Sequence, residues 1–169
     1  PNVAHGEFCM LGAYLTFIGV VMLHLNFFLA LIFGLAVMAA LSAVIGKSIL
    51  FPLYKRPNPA LLFILSTMGL SLFLRDFIAY IFTMNFRSVP NPYSAVIFNF
   101  GTLSIGLNRI LLLIIAVATL IAVYLFINKT KIGKAMRATL QDRTMASLVG
   151  INVSRINMIT FVVGSLLAC

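Results

Sequence analysis

The chain has 169 residues, 62% of them hydrophobic and 9% charged, with a mean hydropathy of +1.12. A soluble domain carries about 25% charged residues, so this composition excludes a water-soluble globule and points to an all-α, polytopic transmembrane bundle. The net charge is +9, from twelve Lys and Arg against three acids. These cations lie between apolar runs and form no single basic face, which argues against a nucleic-acid partner and for loops sorted by the positive-inside rule.

The first apolar stretch runs from Phe8 to Ile45 with no formal charge. It is too long for one crossing of about 20 residues. His24 and Asn26 interrupt it, so the sequence predicts a tight hairpin of two helices, Glu7 to Leu23 and Phe27 to Gly46, with His24 as a turn residue at the outer surface. A loop with Lys47, Lys55 and Arg56 follows, broken by Pro52, Pro57 and Pro59. The third helix is expected from Ala60 to Met84. Arg75 and Asp76 sit two-thirds of the way along it, and adjacent residues on a helix do not face each other. Each needs a partner elsewhere, or Arg75 snorkels to the outer interface; a structural role is favoured for both.

Residues 85–108 form a polar stretch, expected as an extracytoplasmic loop. Within it Val96, Phe98 and Phe100 alternate, then Leu103, Ile105 and Leu107, with Gly101 between the runs. That period of two predicts a small β-hairpin. The fourth helix is expected from Arg109 to Ile127 and a charged loop from Asn128 to Arg155. A fifth membrane segment begins at Ile156 and stops at Cys169, about 21 Å of helix against a hydrocarbon core of about 30 Å. The sequence therefore reads as a fragment of a longer membrane protein, a single transmembrane domain over residues 1–169.

Alternate loops share a side of the membrane. Lys47, Lys55, Arg56, Lys129, Lys131, Lys134, Arg137, Arg143 and Arg155 fall on one side; only Arg87 and Arg109 fall on the other. This bias assigns the first side, with residues 128–155, to the cytoplasm.

No Walker A pattern, no paired carboxylates and no Ser/His/Asp set occur, so neither a catalytic residue nor a metal or cofactor site is expected. Cys9 and Cys169 lie in apolar runs and read as small buried side chains. The strongest candidate is the loop from Lys134 to Gly150. It predicts a short amphipathic helix with Ala138, Met145, Leu148 and Val149 near one face, ended by Gly150 in the left-handed conformation, with Ser154 capping the helix that follows. Two roles stay open for it: docking into a partner protein, or lying on anionic lipid. The small residues Ala138, Ala146 and Ser147 tilt towards docking. A second candidate is His5, Gly6 and Glu7 at the start of the first helix. Ionisable groups at membrane depth are functional candidates by default. On physics alone, Glu7 is more simply an interface residue that favours the helix N-terminus.

These residues carry a pattern. NVAHGEFCMLGAY resembles the N-F-A-H-G-E…GAY stretch of the membrane permease subunits of branched-chain amino-acid ABC transporters, the Liv/HAAT group. RATLQDRTMASLVGINVSRI, followed by TFVVGSLLA, is similar to the cytoplasmic loop and next helix of those permeases, and TMGLSLFL to their IGLSLLLQ helix. The resemblance covers essentially the whole chain and places it in the middle of such a subunit.

It implies an importer of branched-chain amino acids in a bacterial or archaeal inner membrane. Two permease subunits would form the pathway, cytoplasmic ATPases would bind the ATP, and a soluble binding protein would deliver the substrate. Carried over, the ATPase-coupling loop comprises Arg137, Ala138, Gln141, Asp142, Ala146, Gly150, Ile151 and Asn152, with Ala138, Ala146 and Gly150 as the expected contact face. His5, Gly6 and Glu7 would lie near the translocation pathway. The chain departs from the family in two places. Gln141-Asp142 stands where the loose EAA consensus has glutamate, and Arg75-Asp76 where Gln-Asn is common. A urea permease of the same superfamily and an ATP-independent channel or secondary transporter remain alternatives.

Overall fold

The computed structural model describes residues 3–53, 56, 58–82, 97–100 and 103–169. They fall in two compact units, Pro1–Val89 with Asn157–Cys169, and Pro90–Ile156.

The first unit is a helical bundle. Helix α1 (His5–Phe17) runs into a π-helical turn, Ile18–Met22. The chain reverses at His24, whose φ of +52° provides the turn, and α2 (Phe27–Ile45) returns. A second π-helical turn, Gly46–Leu50, extends α2 past the Gly46 boundary expected from sequence and carries Lys47 into the helix. A short α3 (Phe51–Leu53) precedes α4 (Pro59–Phe82). Lys55 and Met84 lie outside the described residues.

Small residues set the α1–α2 contact. Ala30, Gly34, Met38 and Ser42 recur every four positions on α2 and are buried. A Cβ on Gly19 would stand 2.8 Å from the Ala30 Cβ, and one on Gly34 would stand 3.2 Å from the Thr16 hydroxyl. The two backbones approach because these side chains are missing, which is how helices associate where lipid is as apolar as leucine. Helix α4 contributes Leu70, Leu74, Ile78 and Phe82 to a core shared with Phe8, Leu11 and Met38. It runs in the same direction as α1. The Val3 amide donates to the Thr67 hydroxyl at 3.4 Å, and the rings of Tyr14 and Phe82 lie 4.7 Å apart. Buried hydroxyls turn back onto their own helices, Thr16 to the Gly12 carbonyl and Ser165 to the Phe161 carbonyl.

Helix α8 (Val153–Ala168) starts three residues before the expected Ile156. Its residues from Asn157 onward pack in this unit, with Phe161 edge-on to Phe8 and close to Gly46. Cys9 and Cys169 are exposed, contrary to the sequence reading. Cys9 follows the core residue Phe8 by one position and so turns off the packed face.

In the second unit, strands β1 (Ile97–Phe100) and β2 (Leu103–Gly106) pair antiparallel, Phe98 opposite Ile105 and Phe100 opposite Leu103. Val96 and Gly101 of the expected hairpin lie outside the described residues. Helix α5 (Leu107–Lys129) is apolar along its length. Two short helices, α6 (Lys131–Gln141) and α7 (Arg143–Leu148), occupy the charged loop.

Among the described residues, four helices are long and apolar enough to cross a membrane: His5–Met22, Phe27–Ile49, Leu61–Phe82 and Arg109–Lys129. Val153–Ala168 is a shorter apolar helix.

Candidate functional site

The charged loop is ordered by local bonds that its sequence encodes. Thr130 ends α5 and starts α6. Its hydroxyl donates to the Phe126 carbonyl at 2.6 Å and accepts from the Gly133 amide at 3.0 Å. Any side chain at Gly133 would collide with the carbonyl oxygens of Phe126 and Ile127, so the first turn of α6 lies directly against the end of α5. Arg137 braces this corner, donating to the Asn128 side-chain oxygen at 2.8 Å while the Asn128 amide donates back to the Tyr124 carbonyl. The cation therefore holds a corner; sequence reasoning left its partner unnamed, because no pattern signals a side-chain bond across a turn.

The expected single helix is two helices. Asp142 has extended φ and ψ of −151° and 115°, and its carboxylate accepts from the amides of Thr144 and Met145 at 2.7 and 3.0 Å. An Asp in that conformation starts a new helix instead of continuing the old one. Gly150 takes φ +84° and ends α7 as expected. The Ile151 amide bonds the Ala146 carbonyl and the Gly150 amide bonds the Ser147 carbonyl, the paired bonds of a Schellman ending. Asn152, not Ser154, caps α8: its side-chain oxygen accepts from the Arg155 amide at 3.0 Å. Asn152 is the better placed, since it precedes the first helical residue.

This wiring decides which residues face outward. Ala146 is only 3% exposed and Ala138 is half-buried, whereas Gln141 and Gly150 are exposed. The small-residue face expected to make contact is thus largely turned inward. What the segment presents is Leu140, Met145, Leu148 and Val149, all exposed, with Leu140 at 85% and Val149 at 77%. Leu140 was missed in the sequence because a continuous helix puts it away from the other three; the break at Asp142 removes that constraint.

The second candidate sits in the bundle. His5 and Gly6 are exposed at the start of α1, and Glu7 is half-buried. The Ser71 hydroxyl of α4 donates to Glu7 Oε1 at 3.2 Å. Glu7 thus bonds a side chain of another helix, besides lying in the first turn of its own. Arg75 and Asp76, one turn further along α4, are both exposed.

The sequence model of the family described as "Branched-chain amino acid transport system / permease component" matches residues 1–169. The chain belongs to this permease family. It is similar to the high-affinity branched-chain amino acid transport system permease protein BraD of Pseudomonas aeruginosa, 29% identical, with 99% of this chain and 58% of that protein covered. The corresponding permease protein LivH of Escherichia coli is 28% identical over the same shares. The probable branched-chain amino acid transport permease protein LivH of Methanocaldococcus jannaschii is 26% identical, with 99% and 54% covered. The chain thus spans little more than half the length of these relatives. No solved structure matches it. Family membership and the four long apolar helices make this permease chain a multi-pass protein of the inner membrane.

Proposed function

We infer that the chain is the central part of the translocation subunit of an ABC importer that carries branched-chain amino acids inward, with ATP hydrolysed by separate cytoplasmic ATPases. A second permease subunit and a soluble binding protein complete the proposed assembly. The family and the names of the relatives supply the transport class and the substrate class. One observation carries the mechanism: two short helices, fixed to the end of a membrane helix at Gly133 and to the start of the next at Asn152, hold four exposed apolar side chains.

In this reading the segment from Arg137 to Asn152 is the coupling loop, on the cytoplasmic side. Leu140, Met145, Leu148 and Val149 enter a groove of the ATPase. Arg137, Asp142, Gly150, Ile151 and Asn152 keep the segment stiff, and Ala146 packs beneath it. When ATP closes the ATPase dimer, a stiff segment transmits the displacement to α5 and α8; a flexible one would absorb it. His5, Gly6 and Glu7 lie by the translocation pathway. The exposed cations Lys131, Lys134 and Arg155 act chiefly as topology signals.

The test is Leu148→Glu in the full-length subunit. Burying an unpaired carboxylate in an apolar groove costs several kcal/mol, so ATPase co-purification and uptake are expected to fall by roughly tenfold or more. Protein level and thermal stability are expected to stay unchanged, because Leu148 is exposed. Normal association and normal uptake would remove the coupling assignment.

A further inference from the structure

Arg75 and Asp76 lie inside the span that α4 makes, Leu61–Phe82. At about 1.5 Å per residue, Asp76 is about 9 Å from the nearer end of that span and Arg75 about 10 Å. Both are exposed, and among the described residues neither has a hydrogen bond or an ion pair. They do not neutralise each other, since adjacent residues on a helix do not face each other. An arginine can stretch its head to the interface; the short side chain of an aspartate cannot. Lipid covers exposed leucine and phenylalanine without cost, but not a carboxylate. Asp76 therefore needs a cation that the described bundle does not supply.

The place of Asp76 on α4 shows where that cation comes from. The core residues Leu70, Leu74 and Ile78 mark one side of the helix. Leu65, Gly69, Leu72 and Asp76, all exposed, run along the opposite side at spacings of four, three and four. That is the seam of a pair of parallel helices, in which each seam residue enters a hole of four residues on the other helix. For Asp76 the hole on a second copy of α4 is made by Leu72, Arg75, Asp76 and Ala79 of that copy. The arginine just before Asp76 is thus the residue that meets Asp76 of the other copy. A two-fold axis repeats the contact in reverse, so both charges of both copies are paired. The two carboxylates approach as well, with an arginine on either side.

We propose that this side of α4 is an interface between two copies of this chain, closed by reciprocal Arg75–Asp76 pairs. The interface requires only that α4 spans the membrane, whatever the subunit carries.

The test places single cysteines in an otherwise cysteine-free full-length subunit and treats native membranes with a short bismaleimide. Leu72→Cys is expected to give an adduct of twice the subunit mass. Phe77→Cys, exposed but turned away from the seam, is expected to give none. Asp76→Arg sets like charges against each other and should lower the Leu72→Cys adduct roughly tenfold or more. Exchanging the two residues, Arg75→Asp with Asp76→Arg, should restore it, because the pairing is reciprocal. If the exchanged chain does not reach the membrane, the neutral pair Arg75→Gln with Asp76→Asn is read instead, with a severalfold loss of adduct expected; an unchanged adduct there overturns the proposal. No adduct at Leu72→Cys, or an adduct with a different polypeptide, also overturns it. So does an adduct that survives Asp76→Arg, or one that the exchange fails to restore, since either would assign the charges to another segment of the subunit or to lipid headgroups.

Discussion

Gly133 and Gly150 are both glycines of the charged loop, held for different reasons. At Gly150 the backbone is left-handed, φ +84°, and nothing stands where a Cβ would go. An alanine there costs only the conformational strain, about 1–2 kcal/mol. At Gly133 the obstacle is the backbone of α5, which cannot swing aside as a side chain can. Gly133→Ala must therefore reopen the corner between α5 and α6, at a cost of about 1–3 kcal/mol as overpacking and of its bracing bonds besides. Thermal unfolding in detergent should rank Gly133→Ala below Gly150→Ala. Gly150 was legible in the sequence because a glycine after an amphipathic run is a local signal. So was Asp142 as a polar landmark, though not as a break. Gly133 was not legible: its reason is the angle at which two helices meet, which no neighbouring residue announces. Ser71 is the same case across a separation of 64 positions, since only the parallel course of α1 and α4 brings it to Glu7.

Among the elements, the long apolar runs fixed the four spanning helices and the hairpin turn at His24 with small errors at their ends. Those errors have causes. The π-helical turn after α2 prolongs a helix expected to stop at Gly46, and Asn152 starts α8 earlier than its apolar run. The α1–α2 contact makes a sharper statement, because it depends on the absence of side chains. Gly19→Leu drives a branched side chain into Ala30, 2.8 Å from the first added carbon. It should lower the detergent unfolding midpoint, with a loss of about 1–3 kcal/mol, whereas Gly69→Leu on the open side of α4 should leave that midpoint near the wild type. Equal losses at both positions would mean that small residues do not set this packing.

At the scale of the whole molecule, membership of the permease family supports the proposed transport role, and the basic-residue bias gives the α6–α7 segment a proposed side. The segment's exposed leucines and valine suit either an ATPase groove or a lipid surface, and the two make different adducts. A photoreactive phenylalanine analogue placed in turn at Leu140, Met145, Leu148 and Val149 of the full-length subunit, co-expressed with its ATPase and illuminated in native membranes, reads the neighbour directly. The account predicts a covalent adduct with the Walker A ATPase from these four positions and none from Lys131, at the α5 corner. Adducts with lipid alone would contradict it.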